Sequence, residues 1–312
     1  MQRWLIAGLL FCSLPVSAME LGEGISLDLA YIGEGVRNLQ PGLLNPTKRT
    51  SYQDLLDASL AIEREGWKLF VRGMRAHGPD PSASRIGDLQ TASNIEAPDR
   101  ALLYEAWLEL RFGKRTKTAL LLGWHDLNSE FDVSEYASLL INSSFGIGPE
   151  ISANVPTSIY PQPAAAVRLR IANDEGGYLA LAAYDGDPAT RAVRPKTEGI
   201  MYIGEVGLHW HDLGHPGVLK LGAWLHGGNK PSPFVAGKVF SRVSGRYFVA
   251  GARACKLGPR RLRLFRAIRR NAARSQRSAV LLWRRAAPAR RLVRHRAGNR
   301  ARFQSRRESS RR

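Results

Sequence analysis

The sequence predicts an all-β protein: an antiparallel transmembrane β-barrel, incomplete, followed by an irregular basic tail. Three observations carry this. Segments of about ten residues alternate apolar and polar side chains, the period of a strand with two unlike faces. Short turns and long loops join them in alternation, and aromatic residues stand at segment ends (Tyr104, Phe112, Trp124, Tyr202, Trp210 and Trp224), as in the interfacial girdles of membrane barrels. No apolar run reaches the length of a membrane-spanning helix, which excludes a helical bundle and leaves a barrel open.

In chain order, Arg3, the apolar run Trp4 to Phe11 and the small-residue site Val16-Ser17-Ala18 have the layout of a secretory leader, so residues 1–18 are expected to be a signal peptide cleaved after Ala18. Cys12 would leave with it, and Cys255 would be the one remaining thiol. Ile25 to Ile32 alternates as a first strand, with Ile25, Leu27, Leu29 and Tyr31 on one face. Leu56, Ala58, Leu60 and Ile62 begin a hairpin that turns at Glu65-Gly66 into Trp67, Leu69 and Val71, opposed by Lys68 and Arg72. Tyr104, Ala106, Leu108, Leu110 and Phe112 are expected to face outward and Glu105, Trp107, Glu109 and Arg111 inward; after the turn Gly113 to Lys117, Leu120, Leu122 and Trp124 resume the apolar face. From Ala165 the pattern is strict, with Ala165, Val167, Leu169 and Ile171 on one side and Arg168 and Arg170 on the other. Further strands are expected over Gly177 to Tyr184, Ile200 to Trp210 and Val218 to His226, with Glu205 and His209 inward. Residues 19–251 thus form the barrel portion, with about ten or eleven strands.

The net charge of +19 is not spread along the chain. Residues 253–312 hold 22 of the 46 Lys and Arg against one acidic residue, Glu308, so the rest is near neutral and no nucleic-acid partner is expected of it. This Arg-rich tail, residues 252–312, lacks alternation. Its wealth of Arg, Ala, Pro and Gly is what an out-of-frame reading of a GC-rich gene produces, so a frameshift near Gly245 to Cys255 is expected, and the tail is not expected to complete the barrel or the chain as written to insert well.

Two blocks carry a family pattern: "SLLINSSFGIGPEISANVPTSIYPQPAAAVRLRI" from Ser138 to Ile171, and "HGPDPSASRIGDLQTASNIEAP" from His77 to Pro98 with "LYEAWLEL" from Leu103 to Leu110. In that order they resemble the OprB-type carbohydrate-selective porins of bacterial outer membranes, over roughly Leu21 to Tyr247. The resemblance implies a porin-type barrel and passive diffusion of monosaccharides or small oligosaccharides. Its partners would be carbohydrate solutes and outer-membrane lipid, with a homotrimer left open and no cofactor. A porin with an aqueous channel needs roughly sixteen strands, more than residues 19–252 supply. The alternative is a soluble periplasmic β-protein that binds or processes sugar.

For a channel the chemistry is selection, by donors and acceptors that replace water around a hydroxyl-rich solute. Arg168 and Arg170 are the leading lumen candidates, with Glu105, Glu109 and Arg111 as the opposite wall. Asp88 and Asn94 belong to the His77 to Pro98 block, expected to be an extracellular loop able to fold inward. An enzymatic reading is poor. Glu105 and Glu109 lie about 13 Å apart along a strand, too far for a glycosidase pair. The run His209 to His215 lacks the further ligands of a zinc motif, and no nucleotide or nucleophile motif is present. No catalytic residue and no metal site is expected.

Overall fold

The computed structural model describes residues 10–15, 19–37, 50–88, 90–113, 117–134, 137, 140–210, 217–231 and 239–252. The Arg-rich residues 253–312 and the expected cleavage site at Ala18 lie outside them. Strands are β1 (Leu10–Pro15), β2 (Met19–Gly22), β3 (Ile25–Arg37), β4 (Thr50–Arg64), β5 (Trp67–His77), β6 (Arg100–Phe112), β7 (Lys117–His125), β8 (Ala164–Ala172), β9 (Tyr178–Asp185), β10 (Ile200–Trp210), β11 (Gly217–His226), β12 (Lys230–Pro231), β13 (Val239–Phe240) and β14 (Val243–Ala252). From β3 to β11, and then to β14, every strand pairs antiparallel with its neighbour in one continuous sheet. The strands within residues 19–252 of that sheet number eleven, as the alternation predicts.

Period-2 sorting explains the wall. On β10, Tyr202, Val206 and Leu208 are exposed, while Met201, Ile203 and Glu205 are buried. On β8, Val167 and Ile171 are exposed and Arg168 is buried. An exposed apolar face and a buried, partly charged one is the inverse of a soluble sheet and fits a wall with lipid outside. Tyr202 and Trp210 share that outer parity at opposite ends of β10, about 26 Å apart along the strand, close to the height of a barrel's apolar band. One end of the sheet carries short connections, such as Glu65-Gly66 and 173–177. The other carries the long ones, 78–99, 126–163 and 186–199.

Two aromatic residues depart from the sequence reading. Tyr104 and Trp224, expected in the outer girdle, face inward at 1% and 3% exposure. The cause at Tyr104 is a β-bulge, since Arg72 pairs with Glu105 but Gly73 with Leu103; the extra residue flips parity, leaving Leu103 exposed. Trp224 belongs to the inner set of β11 with Lys220 and His226, and packs in the interior apolar cluster. Leu10–Pro15, in the expected leader, forms β1 along β3. β14 pairs with β11 from Val243 to Ala252, up to the end of the described residues.

The inner face is not uniformly polar either. The segment 126–163 folds back inside the wall. Leu127, Phe131, Ile147, Ile151 and Val155 pack against Ala166, Ala180, Ala182, Met201, Ile203 and Trp224 of the inner face. Small alanines on β8 and β9 leave room for it, and each buried large side chain contributes about 1.5–3 kcal/mol over exposure. A smaller cluster, Leu55, Met74, Ala76, Ile95, Ala97 and Tyr104, seats the 78–99 loop on β4 to β6. The two inward segments join through Asn94, whose amide donates to the Ile141 carbonyl (2.7 Å), and Ser143, whose amide donates to that of Thr91 (3.2 Å).

Candidate functional site

Alternation turns every second side chain to the inner face, and antiparallel pairing sets the charged ones among them side by side on neighbouring strands. The result is a ladder of opposite charges across β4 to β8. Arg72 of β5 bridges Asp57 of β4 (Nε to Oδ1 3.0 Å) and Glu105 of β6 (3.5 Å). Lower down, Glu63 meets Arg111 and Lys68, the latter at 3.9 Å. Arg111 Nε is 2.8 Å from Glu109, and Glu109 is 2.8 Å from Arg168 Nη2. Arg168 Nε then lies 2.7 Å from Glu130 of the inward segment, whose other oxygen accepts from Arg170 at 3.0 Å. The Arg170 guanidinium stacks on the Tyr178 ring at 3.9 Å, a cation–π contact that ends the ladder on β9.

Exposure separates the roles. The Arg168 side chain is 6% exposed and held between two carboxylates, so it braces the inward segment against the wall. Arg170 at 33% and Arg111 at 39% keep guanidinium surface open. Glu105 is buried and accepts from the Asp126 amide at 3.1 Å, where the inward segment leaves β7. On the inner face of β5 and β6, Phe70 and Trp107 stack at 4.9 Å with 26° between planes, beside Lys68. The site therefore offers paired charges next to a flat aromatic surface.

Of the residues singled out from sequence, Arg168, Glu109, Arg111 and Arg170 form one connected chain of ion pairs. Glu105 joins the neighbouring Arg72 pair. Asn94 stands elsewhere, its side-chain amide donating to the Leu140 carbonyl at 2.9 Å, so it couples the two inward segments. Asp88 is exposed and makes no ion pair with the ladder. Sequence reasoning missed Glu130, Asp57 and the pairing role of Arg72. For Arg72 and Asp57 the inner parity of a hairpin was the available signal; Glu130, in an irregular segment, had none.

A separate pair of carboxyls closes the 78–99 loop. Glu96 accepts from the Ser82 amide (2.5 Å) and hydroxyl (3.0 Å), and Asp80 accepts from the Ala83 amide (2.9 Å). Burial, and next its hydrogen bond with Asp80, push the Glu96 carboxyl up to about 8. The same bond holds Asp80 below its ordinary value, so one proton serves the pair.

A single antiparallel wall, apolar outside, with an inward-folded segment pinned by a charged inner face, defines an incomplete porin-type membrane barrel. The chain belongs to the carbohydrate-selective porin, OprB family, whose pattern matches residues 45–247. It shares its fold with the high-pH structure of OprB from Pseudomonas putida, at a TM-score of 0.63 and 15% identity. The match covers 74% of this chain and 62% of that one, so the present chain spans less than two thirds of the solved protein's length. No curated protein matches the chain.

Proposed function

We propose that this protein supports passive diffusion of monosaccharides or small oligosaccharides across the bacterial outer membrane, reached through a leader cleaved after Ala18, with no energy input and no chemical step. The observation that carries this reading is the ladder of opposed charges beside the Phe70–Trp107 stack on the inner face. Sugars present hydroxyls that both donate and accept, and a C–H face that is apolar. Alternating carboxylates and guanidiniums can replace the water on the first, and an aromatic plane suits the second. Of the ladder groups, Arg170, Arg111 and Glu109 are the sugar contacts in this reading, because Arg168 and Glu105 are engaged in holding the inward segment. Short connections would face the periplasm and long ones the exterior.

The test is reconstitution of the full chain in liposomes, with swelling followed in isosmotic sugars of increasing size. Swelling in arabinose or glucose that falls off at trisaccharides is expected, together with a drop in single-channel current on adding glucose. Absence of sugar-dependent swelling, or current indifferent to glucose, would overturn it.

A further inference from the structure

We infer that Glu205 is the wall anchor that holds the turn 130–133 of the inward segment in place, making it a positioning residue for solute selection; this rests on the channel reading above. Its side chain points inward from β10 at 1% exposure, and both oxygens are used. Oε1 accepts from the Tyr178 hydroxyl at 2.6 Å; Oε2 accepts from the Tyr247 hydroxyl at 2.9 Å and from the Asp132 amide at 3.0 Å. The first two donors come from the wall, on β9 and β14, and the third from the segment. A carboxylate buried in this way is stable only when its lone pairs are filled by directed donors.

Two glycines build the seat. Gly207 is the cross-strand partner of Tyr178, and a Cβ there would lie 2.0 Å from the Tyr178 ring. Gly222 is the cross-strand partner of both Glu205 and Tyr247, and a Cβ there would lie 2.0 Å from the Tyr247 ring. Each ring thus crosses a gap left by an absent side chain, and the two hydroxyls converge on one carboxylate from opposite sides. On the segment, Asp132 takes a left-handed backbone (φ 58°), which aspartate tolerates better than most residues, while its carboxylate accepts from the Gly148 amide at 2.8 Å. Lys220 of β11 donates to the next carbonyl, that of Val133, at 3.0 Å.

Four consecutive residues are therefore held from three strands: Glu130 by β8, Asp132 by β10 and Val133 by β11, with Phe131 in the apolar cluster between. Apolar packing is non-directional and would let the segment slide along the wall. The directed bonds to Glu205 fix the turn, and with it the position of Glu130 against Arg168 and Arg170. Glu205 thus acts on the charge ladder through Glu130 rather than by touching solute.

The experiment is amide hydrogen exchange on the full chain refolded in detergent, alongside liposome swelling, for wild type, Glu205→Leu and the double variant Tyr178→Phe/Tyr247→Phe. The double variant keeps the rings and removes only the two hydroxyls. Exchange over 130–148 is expected to rise about tenfold or more in both variants while β10 and β11 stay protected, and the swelling cut-off is expected to move to larger oligosaccharides. Unchanged exchange over 130–148 in the double variant would overturn the anchor, and this arm decides should Glu205→Leu fail to refold. A rise in exchange with no sugar passage in any sample, wild type included, would remove the channel reading and leave the anchor standing. Passage with an unshifted cut-off despite faster exchange would remove its role in selection.

Discussion

Arg168 and Arg170 differ by two positions and share a face, yet their substitutions should act differently. Arg168 is buried between Glu109 and Glu130, so Arg168→Ala removes the cation that links two carboxylates and leaves Glu109 with Arg111 alone and Glu130 with Arg170 alone. Losing a buried, doubly paired cation costs up to about 3–5 kcal/mol, which a fall in the urea midpoint of the refolded protein would record. Arg170 is one-third exposed and shares Glu130 with Arg168; its removal should cost about 1 kcal/mol or less and, on the proposed channel function, shift the reversal potential toward cations. Equal destabilisation by the two would contradict this division. The carboxyl pair of the 78–99 loop gives a pH dependence with a definite sign. Because the Glu96 value is raised to about 8 from 4.5, the folded loop keeps a proton that the unfolded chain has released. That stabilisation is complete below 4.5 and is lost as pH climbs to about 8. Asp80, shifted downward, contributes in the opposite sense, above its ordinary value, and loses its share only in acid. Proteolytic nicking within 78–99 should therefore increase between pH 6 and 9, and Glu96→Gln should flatten that rise; a loop equally resistant at both pH values would refute the shared proton.

At the scale of elements, what could be read from sequence was whatever repeats at period two. Ile200–Trp210 was legible end to end because Tyr202, Val206 and Leu208 stand against Met201, Glu205 and His209 without interruption. β6 was legible only up to its bulge: an inserted residue leaves no local mark, so Tyr104 read as outward when its hydroxyl in fact donates to Asp126 inside, at 2.6 Å. Trp224 misled for another reason, since an aromatic at a strand end reads as girdle whichever way it points, and its seat over Gly245 of β14 is a cross-strand fact. The charge ladder was half legible. The wall charges follow from parity, but the Glu130 bridge to Arg168 joins an irregular segment to a strand 38 residues later, and no spacing rule reaches that far. Glycines test the element-level account. Gly123 on β7 has φ 140°, and a Cβ there would lie 2.2 Å from the Ala106 carbonyl oxygen and 2.6 Å from the Trp107 Cα, so Gly123→Ala should destabilise by about 1–3 kcal/mol. Gly73 on β5 has only the Leu102 carbonyl oxygen nearby, at 3.9 Å, so Gly73→Ala should fall within about 0.5 kcal/mol of wild type. Urea titration followed by tryptophan fluorescence distinguishes them, and similar midpoints would mean that the close approach of β6 and β7 relaxes freely.

The wall strands form one sheet whose two edges are treated differently. The β3 edge pairs with β2 over Ile25 to Leu27, and with β1 only while the leader residues are present, whereas among the described residues β14 has a strand on one side only, β11. Unpaired amides and carbonyls in hydrocarbon cost several kcal/mol each, so the far side of β14 must be paired or kept from lipid. Residues 253–312 are the part of this sequence that follows β14, and their composition argues against a lipid-facing strand. From Arg260 to Arg274, Arg recurs at both parities, so no register keeps it off the outer face. Each midplane Arg on that face costs about 2–4 kcal/mol, and three would exceed what ladder hydrogen bonds at about 1 kcal/mol apiece return over a short strand. Among the described residues the inward segment is held by β6 to β11, β14 and the 78–99 loop, and none of these contacts needs the tail. A chain ending at Ala252 should therefore refold in detergent as well as the full chain does. It should give the same heat-modifiable mobility shift and the same exchange protection over 130–148. A truncated chain that loses the mobility shift, with full-length protein retaining it under identical conditions, would show that residues 253–312 contribute pairing to β14 despite their charge.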